Sequence, residues 1–129
     1  MKSAEEKKVF SLVKRARSFT HAFRGIRIFL ATTHNAWVQI VLAVAIFIFG
    51  VYFSISATEW IFLVIVIGAL FSAEAFNTAI EIDIDLTSPE YHPYARDTKD
   101  VAAGAVLITA LMALVVFLVI FVPKVLTLI

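Results

Sequence analysis

The sequence predicts an all-α integral membrane protein, with three transmembrane helices preceded by an amphipathic helix on the membrane surface, in a single domain spanning 1–129. Three observations carry this. Hydrophobic residues make up 61% of the 129-residue chain, well above the ~45–50% of a soluble domain. Apolar runs occupy roughly 36–53, 60–82 and 101–122, each close to the ~20 residues a helix needs to cross a bilayer. The charge is asymmetric: Lys2, Lys7, Lys8, Lys14, Arg15, Arg17, Arg24 and Arg27 precede the first run, whereas Glu74, Glu81, Asp83, Asp85, Glu90, Asp97 and Asp100 form one central block.

The first element, roughly 8–32, carries Leu12, Ala16, Phe19, Phe23, Ile26 and Leu30 at alternating steps of four and three, one stripe of a helix. Arg15, Arg17, Arg24 and Arg27 lie off that stripe. The segment reads as a helix in the inner headgroup layer, apolar face down and cations near lipid phosphates. It serves either as an anchor alone or also as a wall of an active site. The basic region is too long for the n-region of a signal peptide, so no cleavage is expected after "SISA".

The first span is uncharged, and the second follows the short turn "SISATE" and becomes polar only in its final turns. The third starts at "DVAAGAV" and stops near Pro123 and Lys124. With no water in the hydrocarbon each span must satisfy its own backbone, so helices are required. The Lys/Arg bias puts the N-terminus and the loop "LTSPEYHPYARDTKD" in the cytoplasm, and the turn holding Glu59 and the C-terminus outside. Trp37 and Trp60 read as interface anchors. Pro89 and Pro93 keep the second helix from running into the third. Gly104, and Gly68 with Ser72, read as small faces for close helix packing. The chain has no cysteine, which rules out thiolate metal sites and cysteine nucleophiles.

The chemistry lies at the polar end of the second span, "AEAFNTAIEIDID". At ~100° per residue, Glu81 returns within about 20° of Glu74, and Asp85 falls on the same face one turn further on. Asn77 and Thr78 flank that line at about 60° and 40°. Glu74, Asn77, Thr78, Glu81 and Asp85 therefore form one polar stripe, while Asp83 points about 180° away. Ionisable groups at membrane depth are costly and mark function by default. The structural alternative is a helix–helix hydrogen-bond clamp, which needs one or two polar residues rather than five. A poorly solvated carboxylate can act as general base toward a hydroxyl. A shallower one can hold Mg²⁺, which takes one or two carboxylates and completes its shell with water and phosphate oxygens. Lys99, beside Arg96 and Asp100, can neutralise a phosphoryl group. The glycines at 25, 50, 68 and 104 stand alone, so neither a P-loop nor a kinase glycine loop is present. Three helices cannot shield so many polar groups from lipid, which implies an oligomer with a site between subunits.

At these residues the sequence closely resembles the prokaryotic diacylglycerol kinase family, which includes the undecaprenol kinases. The match runs through "EAFNTAIEIDID" and "EYHPYARDTKDVAAGAVL", with "SFTHAFRGIR" upstream, and covers most of the chain. The resemblance implies a homotrimer of three-span subunits in a prokaryotic inner membrane, with active sites between subunits at the cytoplasmic face. It implies transfer of the γ-phosphate of Mg-ATP to a lipid hydroxyl. By the same resemblance Glu74 matches the general base, Asn77 a polar residue supporting that base and Glu81 a metal ligand. Lys14, His21, Glu90, His92, Lys99 and Asp100 match nucleotide positions, and Arg27 a lipid-side position. The implied cofactor is Mg²⁺ and the partners are ATP, the bilayer, a lipid alcohol and two further copies of the chain. No nucleic-acid partner is expected.

One departure stands out. Where several members carry a second metal-binding Glu before the first span, "LATTHNAW" aligns Thr33, whose hydroxyl is a poor substitute for a carboxylate. Either the metal relies more on water and ATP, or His34 or Asp85 supplies a ligand. Pro after His92 and "DVAAGAV" after Lys99 look more like the undecaprenol kinase branch, with diacylglycerol the alternative acceptor. A reading of another class is a non-enzymatic membrane oligomer with an ion or proton pathway. Lys99, Asp100 and the Glu-Tyr-His loop separate the two, because a cation pathway gains nothing from a lysine at its mouth.

Overall fold

In the computed structural model the chain is described from residue 12 to residue 129. Lys2, Lys7 and Lys8, and residues 8–11 of the expected surface helix, lie outside the described residues. Four helices follow one another: α1 Leu12–Thr32, α2 His34–Tyr52, α3 Ala57–Thr87 and α4 Pro93–Leu126. There is no strand among the described residues. Helices α2, α3 and α4 are long and apolar enough to cross a membrane.

Large apolar side chains face outward along all three, among them Val41, Phe47, Val64, Ile65, Leu107, Ile108 and Val115. This pattern would be untenable in water, where roughly 25 cal/mol is lost per Å² of apolar surface left exposed. It suits hydrocarbon as the solvent, since lipid tails are as apolar as leucine.

What packing there is joins α3 chiefly to α4 and concentrates at the end of the bundle holding the α2–α3 turn. Ile55, Leu63, Ile120 and Phe121 are buried there, with Phe53, Trp60 and Phe117 packed around them. Phe49 meets Phe121 edge-on at 6.1 Å, a favoured aromatic geometry. Trp60, expected as an interface anchor, also packs within the chain. Its indole lies over Gly50, where a Cβ would come within 2.5 Å of the ring. Gly68 and Gly104 have open space where a Cβ would go, so the close packing expected at these positions does not occur among the described residues.

The connections are shorter than the polar composition suggests. Ser54 adopts φ 49° in the α2–α3 turn, the left-handed region that only short polar or glycine residues enter cheaply. Ser56 then caps α3 reciprocally: its hydroxyl accepts from the Glu59 amide at 3.2 Å, and Glu59 accepts from the Ser56 amide at 2.7 Å. This is the S-x-x-E capping box, so "SISATE" is as much a helix start as a turn. Lys124, on the last turn of α4, reaches Glu59 at 3.0 Å. Pro123 lies inside α4, which continues to Leu126; so near the C-terminal end the missing amide costs the helix little continuity.

At the opposite end, most of the expected loop is helical. Pro93 is at the first position of α4, where its lost N–H would have no partner anyway. The His92 ring caps the helix, with Nδ1 accepting from the Tyr94 amide at 3.2 Å. The non-helical link between α3 and α4 is therefore residues 88–92. Between α1 and α2 only Thr33 breaks the helical run, with φ −101° and ψ 98°. Trp37 braces that elbow by donating its indole N–H to the Leu30 carbonyl at 2.8 Å.

Candidate active site

The elbow and the polar half of α3 come together. Glu74 and Thr78 lie one turn apart on α3 and are both buried, Glu74 being 4% exposed. A buried carboxylate without a partner would carry a severe desolvation cost. Asn35, in the first turn of α2, meets that need by donating its amide to Glu74 Oε1 at 2.5 Å. One turn nearer the polar end, the hydroxyls of Thr33 and Thr78 are 2.7 Å apart. Thr33 begins α2 without capping it through its side chain, because its hydroxyl is committed to α3.

Further along the stripe the environment opens. Asn77 donates to Glu81 Oε1 at 3.2 Å, and Glu81 is exposed. The other polar atom of Asn77, Oδ1, is buried with no partner among the described residues. Asp85, one turn beyond Glu81, holds Lys99 of α4 at 2.6 Å. That hydrogen bond raises the pKa of Lys99 above its ordinary value; desolvation opposes it, and the charges of Asp85 and then Glu81 add to the rise. Lys99 lies before the apolar part of α4, outside the span, and stays protonated at any physiological pH.

The expected residues thus fall into groups. Glu74, Asn77, Glu81 and Lys99 line one continuous face from the buried interior to the exposed end of the α3–α4 pair. Asp100 pairs with Arg96 one turn back on α4, at 3.6 Å. His92 is committed through Nδ1 to capping α4, which leaves Nε2 available. Glu90 is exposed in the 88–92 link. Lys14, His21 and Arg27 are all exposed on α1. Among the described residues, neither His21 nor Arg27 has a hydrogen bond or ion pair joining it to the α3 stripe. Asn35 escapes a reading of the sequence, because nothing in local spacing links it to a residue 39 positions later.

Could this site hold a metal? Among the described residues, no group of three or more His, Asp or Glu side chains gathers in metal-binding geometry, and Asp85 is occupied by Lys99. His34 is exposed at the start of α2. A resident, fully protein-coordinated ion does not fit. One exposed carboxylate does suit Mg²⁺, which commonly keeps its waters and binds through one or two carboxylates plus substrate phosphates.

Comparison with known proteins gives this geometry its context. The profile of the family described as prokaryotic diacylglycerol kinase matches residues 20–121, a stretch that takes in most of α1, the elbow, the whole α3 stripe and Lys99. The chain belongs to the prokaryotic diacylglycerol kinase family. Membership makes it a lipid kinase, and sets aside the ion-pathway reading of the acidic stripe. Among curated members of the prokaryotic diacylglycerol kinase family, it is 41% identical over 108 residues to the undecaprenol kinase of Bacillus subtilis (strain 168), covering 84% of this chain and 88% of that one. It is 33% identical over 100 residues to a diacylglycerol kinase of Synechocystis, covering 77% of this chain and 57% of that one. A diacylglycerol kinase of Helicobacter pylori is 26% identical over 106 residues, covering 77% of this chain and 83% of that one.

Proposed function

We propose that the chain transfers the γ-phosphate of ATP to the hydroxyl of undecaprenol, at a site built on the α3 stripe. The observation that carries this is the contrast along one helix face. Glu74 is buried and hydrogen-bonded through a single oxygen, while Glu81 and Asp85 are exposed beside Lys99. A lipid alcohol approaching from the bilayer meets the buried carboxylate, and a nucleotide approaching from water meets the exposed group.

In the transfer, Glu74 accepts the hydroxyl proton as the lipid oxygen bonds to the γ-phosphorus. The bond from that phosphorus to the bridging oxygen breaks, and ADP leaves with the electron pair. Phosphoryl transfer asks the protein mainly for positioning and charge stabilisation, which Lys99 supplies at the nucleotide side. Glu81, steadied by Asn77, would hold Mg²⁺; the bound ion neutralises charge on the phosphate oxygens. His92 through Nε2, with Glu90, Asp100, Lys14 and His21, forms the remaining nucleotide surface, and Arg27 lies on the lipid side. The outward apolar faces of α2–α4 support assembly as a homotrimer in which neighbours complete the site. The cation-rich N-terminal segment supports a cytoplasmic orientation for this end of the bundle.

Undecaprenol is favoured over diacylglycerol by the higher identity to the Bacillus enzyme and by the wording around His92 and Lys99. The test is purified protein in detergent with labelled ATP, Mg²⁺ and either lipid alcohol. The expected result is labelled undecaprenyl phosphate formed faster than phosphatidic acid. Faster labelling of diacylglycerol would overturn the acceptor, and labelling of neither would overturn the reaction.

A further inference from the structure

We infer that Asn35 is the positioning residue for the Glu74 carboxylate, setting which oxygen is left to receive the substrate proton. The inference rests on the reading of Glu74 as the general base. Three observations lead to it. Glu74 is 4% exposed, so solvent has little access with which to orient its carboxylate. Among the described residues its hydrogen-bond partner is Asn35 Nδ2, at 2.5 Å from Oε1, and Oε2 has none. The donor also comes from a different helix, 39 residues earlier in the chain, so the contact fixes the carboxylate relative to α2 as well as within α3.

The elbow is built to hold this donor still. Thr33, two residues before Asn35, is tied to Thr78 at 2.7 Å, one turn beyond Glu74 on α3. Trp37, two residues after, is tied back to Leu30 on α1 at 2.8 Å. Asn35 is thus flanked by two braces, and rotation of the first turn of α2 would break both. An amide suits the task better than a cation. Its N–H satisfies one oxygen of the carboxylate without pairing with the full charge, so Oε2 remains able to take a proton. A lysine or arginine would hold the charge so strongly that the base would be weakened.

The experiment measures phosphorylation of undecaprenol by the intact detergent-solubilised oligomer in four variants, with size-exclusion elution and thermal midpoint as structural controls. Glu74→Gln tests the reading on which the inference rests; full activity there would overturn that reading and this inference with it. Given an inactive Glu74→Gln, Asn35→Ala is expected to lower kcat about 10- to 100-fold, as loss of a hydrogen bond to a charged group and misorientation of a reacting group would produce. KM for Mg-ATP and for lipid should stay within about two-fold, since the contact is realised in the chemical step. Asn35→Gln keeps an amide donor and should run several-fold faster than Asn35→Ala. Asn35→Asp, nearly isosteric, removes the donor and adds a like charge, and should be no faster than Asn35→Ala; it carries the comparison should the alanine variant fail to assemble. Unchanged kcat in Asn35→Ala and Asn35→Asp would overturn the inference, as would equal losses in the Gln and Ala variants accompanied by a lowered thermal midpoint, the mark of a merely structural contact.

Discussion

The hydroxyls of Thr33 and Thr78 meet at 2.7 Å across the junction between the elbow and α3. This chain thus has a helix-to-helix tie at the position where the family resemblance leads one to expect a second metal-binding glutamate. Thr78 is buried, which makes the tie consequential: its hydroxyl has no water to turn to when Thr33 is lost. Replacing Thr33 by valine is expected to destabilise the protein by about 1–3 kcal/mol, the cost of a stranded buried polar group. Thermal unfolding in detergent checks it, and Thr33→Ser should stay close to the parent.

Thr33→Glu is the complementary change. It puts a carboxylate one turn from Glu74 on the facing helix and removes the hydroxyl tie. Without metal the like charges repel; with metal a second ligand is available. The expected outcome is a thermal midpoint below the parent's in chelator that Mg²⁺ raises, whereas the parent responds little to Mg²⁺ alone. A variant indifferent to Mg²⁺ would show that residue 33 cannot reach the ion.

In the proposed reaction Glu81 would hold Mg²⁺; it is exposed and accepts from Asn77 at 3.2 Å. Glu81→Ala should raise the Mg²⁺ concentration needed for half-maximal activity by about 10-fold or more, with partial rescue at high Mg²⁺, because water and phosphate oxygens can still complete the shell. Asn77→Ala should give a smaller shift in the same direction, on the order of 10-fold at most, as expected for a group that orients a ligand rather than binding the ion. Activity titrated against Mg²⁺ at fixed ATP separates the two.

Asp85 and Lys99 form an exposed ion pair at 2.6 Å, with side chains 68% and 36% accessible. Solvent screens so exposed a pair and leaves it weak, so incoming phosphates can draw Lys99 away at little cost. Asp85→Asn should therefore lower KM for ATP by up to about five-fold, because the nucleotide no longer competes for the lysine or faces the aspartate charge. Lys99→Ala should do the opposite and lower kcat/KM for ATP by about 100-fold. Steady-state kinetics in ATP decides both.

The three membrane-crossing helices are legible from the run length of apolar residues alone, because hydrocarbon imposes both the length and the helical form. Their ends are less so. Helix α4 begins at Pro93, well before the apolar run, since His92 and Pro93 start a helix whose first turns, through Asp100, are polar and carry no burial pattern. The Ser56–Glu59 capping box was written in the sequence as S-x-x-E but is easily taken for a turn when the apolar run is used to set the boundary. The α3 stripe follows from the ~100° step, and its division into a buried Glu74 and an exposed Glu81 agrees with their depth along the helix. What periodicity could not supply was the pairing of Asn35 with Glu74 or of Thr33 with Thr78, since both depend on how α2 meets α3. Gly50 likewise looks like any isolated helical glycine until Trp60 is seen above it.

That last contact predicts a packing defect. A methyl group at Gly50 would approach two carbons of the Trp60 ring at 2.5 and 2.7 Å and Ile55 Cδ1 at 3.1 Å. Trp60 is braced by Phe47, with ring centroids 5.3 Å apart, so it cannot simply swing aside. Gly50→Ala should cost about 1–3 kcal/mol from overpacking, despite alanine's higher helix propensity. The double variant Gly50→Ala/Trp60→Leu should recover part of that loss, which thermal unfolding of both proteins can test.

At the same end, Glu59 predicts a pH dependence. It sits in the first turn of α3, ahead of the apolar run, accepting from the Ser56 amide and paired with Lys124. The Ser56 backbone hydrogen bond, then the Lys124 contact, hold its pKa below the ordinary value. A carboxyl whose folded pKa lies below its unfolded pKa binds fewer protons when folded. Its contribution is therefore fully present above the unfolded value, about 4.3, and is lost as pH falls through the lower folded value. Glu59→Gln is the informative variant, because glutamine retains the capping-box acceptor and removes only the charge. At neutral pH it should be less stable than the parent by about 1 kcal/mol or less. Below about pH 4 the two should converge as the parent's Glu59 becomes protonated. Thermal midpoints of both proteins between neutral and acidic pH measure this directly; a gap that stayed constant across the range would mean that the Glu59–Lys124 contact contributes no charge-dependent stability.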